Sequence, residues 1–275
     1  MTEPSAPPRV RQVDRLFLAV VIALASAYVL LIVLMLAADV LYTRPKDFSA
    51  ALSKPEIQYS IKLTILSCTI SAVMAVIVAV PLGYLLSREQ FPGKRLLDAL
   101  VDVPVMLPPL VIGLSLLILF HLKPLQLEQT LRQRLGLEVT FAIPAVILAQ
   151  FAVACAFAAR TMRVTFDQIS PRAEQVALTL GCGRGRAFFE VLLPQAKRGI
   201  ITAFTLAWAR SLGEFGPIIV FAGSSRMRTE VLSTSVFLEL SVGQTEAAVA
   251  VSLMMVAIAV AVLMIVRTFG ARSPA

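Results

Sequence analysis

Six apolar runs, each long enough to cross a hydrocarbon layer as a helix, constrain this chain more than any other feature. They cover Leu16 to Ala38, Ile61 to Leu86, Leu100 to Phe120, Phe141 to Ala159, Gly199 to Phe221 and Ala247 to Val266. A bilayer core needs about 20 helical residues per crossing. Charged residues make up only 15% of the 275, with mean hydropathy +0.83, whereas soluble domains carry roughly 25%. The expected fold class is therefore all-α, a polytopic transmembrane bundle of about six spans. The first run exceeds the 7–15 residues of a signal-peptide core, so 16–38 is expected to stay as a first transmembrane helix. Residues 1–15 ahead of it, small, polar and basic, are expected to form a disordered cytosolic arm, and 61–266 the core.

Orientation follows from the basic residues, which are retained on the cytosolic side. With the N-terminus inside, 15 Lys and Arg and 7 Asp and Glu fall in cytosolic segments, against 8 and 8 outside. Both termini are then cytosolic, and the formal net charge of +8 lies on the inner face. Topology thus accounts for the charge, which says nothing of nucleic acid or of an anionic substrate. Cys68, Cys155 and Cys182 lack CxxC spacing, so neither a disulfide nor a metal site is expected.

The cytosolic connection 160–198 is far longer than the 2–8 residues that merely join helices. Ser170, Pro171 and Glu174 predict a helix entry with a cap, a proline in the first turn and a carboxylate at the positive end of the dipole. Gly181, Gly183 and Gly185 then interrupt the chain, and Ala187 to Leu192 reads as a second short helix stopped at Pro194. The glycine-rich stretch lacks the Lys and Ser/Thr of a phosphate-binding loop, so the chain has no ATPase site of its own.

Glu174, Ala177, Gly181, Leu193 and Pro194 resemble the E-A-A, three residues, G, nine residues, I-x-L-P loop of ABC-importer permeases, with one residue more between Glu174 and Gly181 than that pattern has. Gln175 and Val176 replace the two alanines, and Val191 replaces Ile. The resemblance implies a type I importer permease fold and a knob that seats in a separate cytosolic ABC ATPase, which binds ATP and Mg, no cofactor being held by this chain. Read locally, the same residues are a first-turn carboxylate, a helix C-cap and a helix breaker.

Two spans carry residues that membranes tolerate poorly. Pro104, Pro108 and Pro109 make a straight helix implausible in 100–120, leaving a broken helix along a translocation path or a packed kink. Arg210 and Glu214 sit four apart in 199–221 and can face each other on one turn, as a structural ion bridge or as part of a gate. Leu107-Pro108-Pro109-Leu110-Val111-Ile112-Gly113 and Gly213-Glu214-Phe215-Gly216 resemble the L-P-P-x-V-x-G and G-E-F-G-A stretches of molybdate, tungstate and sulfate permeases. Pro217 stands where that family has Ala, and Ser224 where it has Asn. Pro108, Pro109, Gly113, Gly213, Glu214, Phe215 and Gly216 are thus candidates for the path or gate.

That resemblance implies an oxyanion importer of the bacterial inner membrane, working as a homodimer with an external substrate-binding protein, with molybdate or tungstate as substrate and sulfate or thiosulfate as the alternative. An ion-coupled transporter would carry more intramembrane carboxylates or histidines than Lys62, Asp102, Arg210 and Glu214 supply. An intramembrane enzyme would need acid–base machinery that one histidine, His121, does not offer.

Overall fold

The computed structural model describes residues 8–123 and 125–271. Its elements run in order as α1 (Pro8–Tyr42), α2 (Pro45–Ser53), α3 (Pro55–Arg88), α4 (Lys94–Met106), α5 (Pro109–His121), α6 (Leu127–Leu135), α7 (Ile143–Gln168) and α8 (Arg172–Thr179). Then follow α9 (Arg184–Ala187), a π-helical turn (Phe188–Leu192), α10 (Leu193–Gln195), α11 (Lys197–Leu212), α12 (Gly216–Phe221), α13 (Leu232–Ser241) and α14 (Thr245–Ala271). Among the described residues there is no strand.

The span count differs from six continuous helices. Four helices, α1, α3, α7 and α14, are long and apolar enough to cross a bilayer, and α4 with α5 meet the same criteria only as a pair, bent by 113° at their break. The expected crossing 199–221 is divided, because α11 ends at Leu212 after 16 residues and the chain breaks over Gly213–Phe215 before α12. Boundaries also move. The helix α1 begins at Pro8, inside the stretch expected to be disordered, while 1–7 lie outside the described residues. Arg160 to Gln168 belong to α7, so the connecting knob is shorter than 160–198.

The core forms where α3, α7 and α11 pack. One face of α3 is a row of small residues, Ser60, Thr64, Ser67, Ser71, Ala75, Ala79 and Gly83, all buried. It meets the equally small Ala145, Ala149, Ala158 and Ala159 of α7. In lipid, helices associate by close van der Waals contact and not by exclusion of water, so small residues at the seam are what permit association. A Cβ on Gly83 would stand 2.7 Å from Met162 Cβ and 2.8 Å from the Arg163 nitrogen, and one on Gly199 would overlap the Thr165 side chain. Gln150 on α7 crosses the seam, accepting from Ser71 Oγ at 3.2 Å and donating to the Ser211 carbonyl of α11 at 3.3 Å. By contrast α1 is exposed from Phe17 to Met35 and leans on α14.

Candidate functional site

Two groups of candidate residues occupy opposite ends of α11, which at 1.5 Å per residue separates them by roughly 24 Å.

At the first end is the knob. The helix α8 closes in a Schellman motif: Cys182 N–H donates to Ala177 O and Gly181 N–H to Leu178 O, both at 3.0 Å, with Gly181 left-handed at φ +88°. That geometry requires glycine, because a side chain in this region is strained. The expected Ser170 cap is a long contact, its Oγ 3.4 Å from the Arg172 nitrogen. Glu174 is no ordinary first-turn carboxylate. It is buried, accepting from Tyr84 OH at 2.7 Å, with Arg88 Nε 3.8 Å away. Pro194 does not stop the second helix as expected. Lacking an N–H, it cannot make the regular bond to the carbonyl four residues back, and the chain widens instead, Leu193 N–H reaching Phe188 O. Helix continues through Leu193 and Pro194 to Gln195. The outward side presents Val176, Leu180 and Phe189, exposed by 56%, 80% and 65%.

At the second end the two broken spans meet. The break between α4 and α5 falls at Leu107 and Pro108, and the break between α11 and α12 at Gly213–Phe215. Glycine lets the two backbones touch: a Cβ on Gly216 would stand 2.8 Å from Pro109 Cβ, and one on Gly113 would stand 2.7 Å from Pro217 Cα. Pro217 itself is buried in the first turn of α12, where a missing N–H costs nothing, so this departure from the family pattern fits the break. Gly213 differs. It has φ −81°, a Cβ there would meet nothing nearer than the Arg210 carbonyl at 4.0 Å, and it is exposed at the break.

Glu214 is 1% exposed, its Oε2 lying 2.7 Å from Arg210 Nη1, as the four-residue spacing predicts. The Arg210 guanidinium also sits over the Phe157 ring at 5.7 Å. Phe215 stacks obliquely on Phe237 of α13 with centroids 5.3 Å apart. Ser233 Oγ donates to the Glu214 carbonyl at 2.7 Å, so α13 is fastened directly to the break. Open space lies along α11 itself, apart from the break. A groove of about 520 Å³ runs past Thr202, Thr205 and Ala209, and another of about 580 Å³ past Arg160, Thr165 and Arg198.

Sequence reasoning missed Tyr84, Arg88, Gln150 and the whole of α13. A tyrosine and an arginine four apart at the end of a span, and a glutamine inside one, were the available signals. Among the described residues no cluster of three or more His, Cys, Asp or Glu side chains is arranged to hold a metal.

A family described as the binding-protein-dependent transport system inner membrane component matches residues 75–273. The chain belongs to that family. It is therefore an ABC-importer permease, a membrane transport subunit. Relatives include the sulfate transport system permease protein CysT of Escherichia coli K12, 30% identical over 80% of this chain and 79% of that one. The molybdenum transport system permease protein ModB of Mycobacterium tuberculosis is 32% identical over 82% and 84%. In solved structures the permease fold matches a bacterial ABC transporter that imports alginate, with TM-score 0.73 at 16% identity over 98% of this chain and 100% of that one. It also matches the MetNI methionine transporter in inward-facing form, with TM-score 0.57 at 18% identity over 78% and 91%.

Proposed function

We propose that this permease carries an oxyanion, molybdate or tungstate, inward across the bacterial inner membrane as a homodimer. Two cytosolic ATPase subunits, holding ATP and Mg, engage the two knobs, and an external binding protein delivers the substrate to the opposite face. The knob and both termini are then cytosolic, in keeping with the excess of Lys and Arg in those segments. ATP-driven closure of the ATPase pair moves α8, and the bundle responds by exchanging outward-open for inward-open packing. The chain supplies a path and a lever, with no bond chemistry.

The contact between the two broken spans carries this reading. Irregular backbone at membrane depth persists where it is sheltered by protein or borders a water-filled route. Here two such breaks, Pro108–Pro109 and Gly213–Gly216, shelter each other through direct backbone contact. The oxyanion rests on the ModB relatives and on the molybdate/tungstate permease WtpB of Thermococcus kodakarensis, 33% identical over 62% of this chain and 63% of that one. The CysT match, over 221 residues, favours sulfate as the second reading.

The test is uptake in vesicles holding the permease, its ATPase and its binding protein. Labelled molybdate is expected to accumulate with ATP, and excess tungstate to compete with it while excess sulfate does not. Accumulation of sulfate unaffected by molybdate would move the assignment to the second reading.

A further inference from the structure

The family resemblance makes Glu174 a residue of the knob that meets the ATPase, yet its carboxylate is turned away from the exposed side. It lies buried between α8 and the end of α3. Arg88 Nε, 3.8 Å from Glu174 Oε2, is a buried nitrogen without a hydrogen-bond partner, and the arginine spends its Nη2 on the Ile169 carbonyl at 2.6 Å. Among the described residues the hydrogen bond into the carboxylate is therefore the one from Tyr84, at 2.7 Å. The Tyr84 ring is itself held edge-on by Phe188 of the π-helical turn at 4.9 Å and by Phe166 of α7 at 6.0 Å.

From this geometry we propose that Tyr84 is a positioning residue of coupling. It pins α8 to α3 through Glu174, so that Glu174 is an internal strut and not a contact for the ATPase. The need for a pin is mechanical. The helix α8 is eight residues long and ends on Gly181, around which there is open space, as there is around Gly183 and Gly185. A push on the exposed Val176 and Leu180 side would turn a free α8 about those glycines. Pinned at Tyr84, the same push reaches α3, and through the backbone contact of Gly83 with Met162 and Arg163 it reaches α7. Force thus enters two spanning helices at one point.

The inference rests on the importer reading, and the test separates the two. The complex with ATPase and binding protein is reconstituted with wild type, Tyr84→Phe, Glu174→Gln, Glu174→Ala and the double variant Tyr84→Phe/Glu174→Ala. Substrate moved per ATP hydrolysed and co-purification of the ATPase are then measured. Tyr84→Phe is expected to keep ATPase binding within about twofold while transport per ATP falls about tenfold, the size of one hydrogen bond to a charged acceptor. Glu174→Gln keeps an acceptor for Tyr84 and is expected to retain more coupling than Glu174→Ala. The double variant is expected to be no worse than Glu174→Ala, because the two residues act through one bond. Unchanged transport per ATP in Tyr84→Phe, additive losses in the double variant, or loss of ATPase binding together with coupling would each overturn the proposal. A wild-type complex that moves no substrate with ATP would instead overturn the importer reading.

Discussion

Glycines in the two breaks have different reasons for being glycine, and the difference can be measured. Gly113 and Gly216 sit where a Cβ would stand under 3 Å from the facing proline. Gly113→Val or Gly216→Val must therefore push α5 and α12 apart, at about 1–3 kcal/mol, read as a fall in the melting temperature of the detergent-purified permease. At Gly213 the φ suits any residue and the space is open, so Gly213→Ala is expected to leave melting unchanged. If Gly213 serves the path, transport falls in that variant; unchanged transport would remove it from the candidate gate. The Arg210–Glu214 pair is asymmetric in a similar way. Arg210→Met leaves a carboxylate that is 1% exposed without its counter-charge, a loss of about 3–5 kcal/mol. Arg210→Met/Glu214→Gln is expected to recover most of it in the same melting assay. The pairing was legible from the four-residue spacing alone. The partners of Glu174 were not, because Tyr84 lies 90 positions away and no local rule joins them.

Among elements, the long apolar helices were legible because length and hydropathy determine them, and the divided ones only in outline. Three prolines announced a break in 100–120. In 199–221 Gly213 and Pro217 carried the same signal beneath a run apolar enough to pass as one helix. The helix α13 escaped notice because its core face is polar: Thr234, Ser235 and Glu239 are buried there. Thr234 and Ser235 are satisfied locally, by Val231 and Glu230, but Glu239 is paired with Lys54 and Arg226 at 3.0 and 3.1 Å, and Leu232 N–H donates to Thr64 Oγ1 on α3 at 2.9 Å. Glu230, just ahead of α13 and outside the spans, has its carboxyl pushed above the ordinary value of 4.5 by burial. A hydrogen bond from Ser235 and the charge of Arg226 oppose the shift, and Glu239 and Glu56 add to it. The folded state then holds this proton more tightly than the unfolded chain does. Its contribution to stability is fully present below pH about 4.5 and is lost as pH rises through the raised value. Glu230→Gln is expected to abolish that decline and to raise the melting temperature at pH 7. An unaltered pH profile in the variant would show that Glu230 does not titrate in this window.

For the molecule as a whole, the knob's outward face is the part whose purpose only an assembly explains. A monomeric fold does not need Val176, Leu180 and Phe189 in water, and their exposures of 56%, 80% and 65% come from residues outside the spanning helices. Unlike the exposed side of α1, they belong to no helix long and apolar enough to cross a bilayer. An apolar patch at the close of a short helix suits a groove that is apolar at its floor. Such a groove on the ATPase would bury Leu180 near the centre of contact, where truncation costs most. Leu180→Asp is therefore expected to weaken co-purification of the ATPase by more than tenfold, equivalent to about 1.4 kcal/mol or more. The melting temperature of the isolated permease is expected not to change, because the side chain supports nothing within its own chain. Equal loss of melting temperature and of ATPase binding would make Leu180 a fold residue; retention of both would move the docking surface off α8. A Tyr84→Phe variant that binds the ATPase beside a Leu180→Asp variant that does not would divide the knob into an outer side that receives force and an inner side that passes it on.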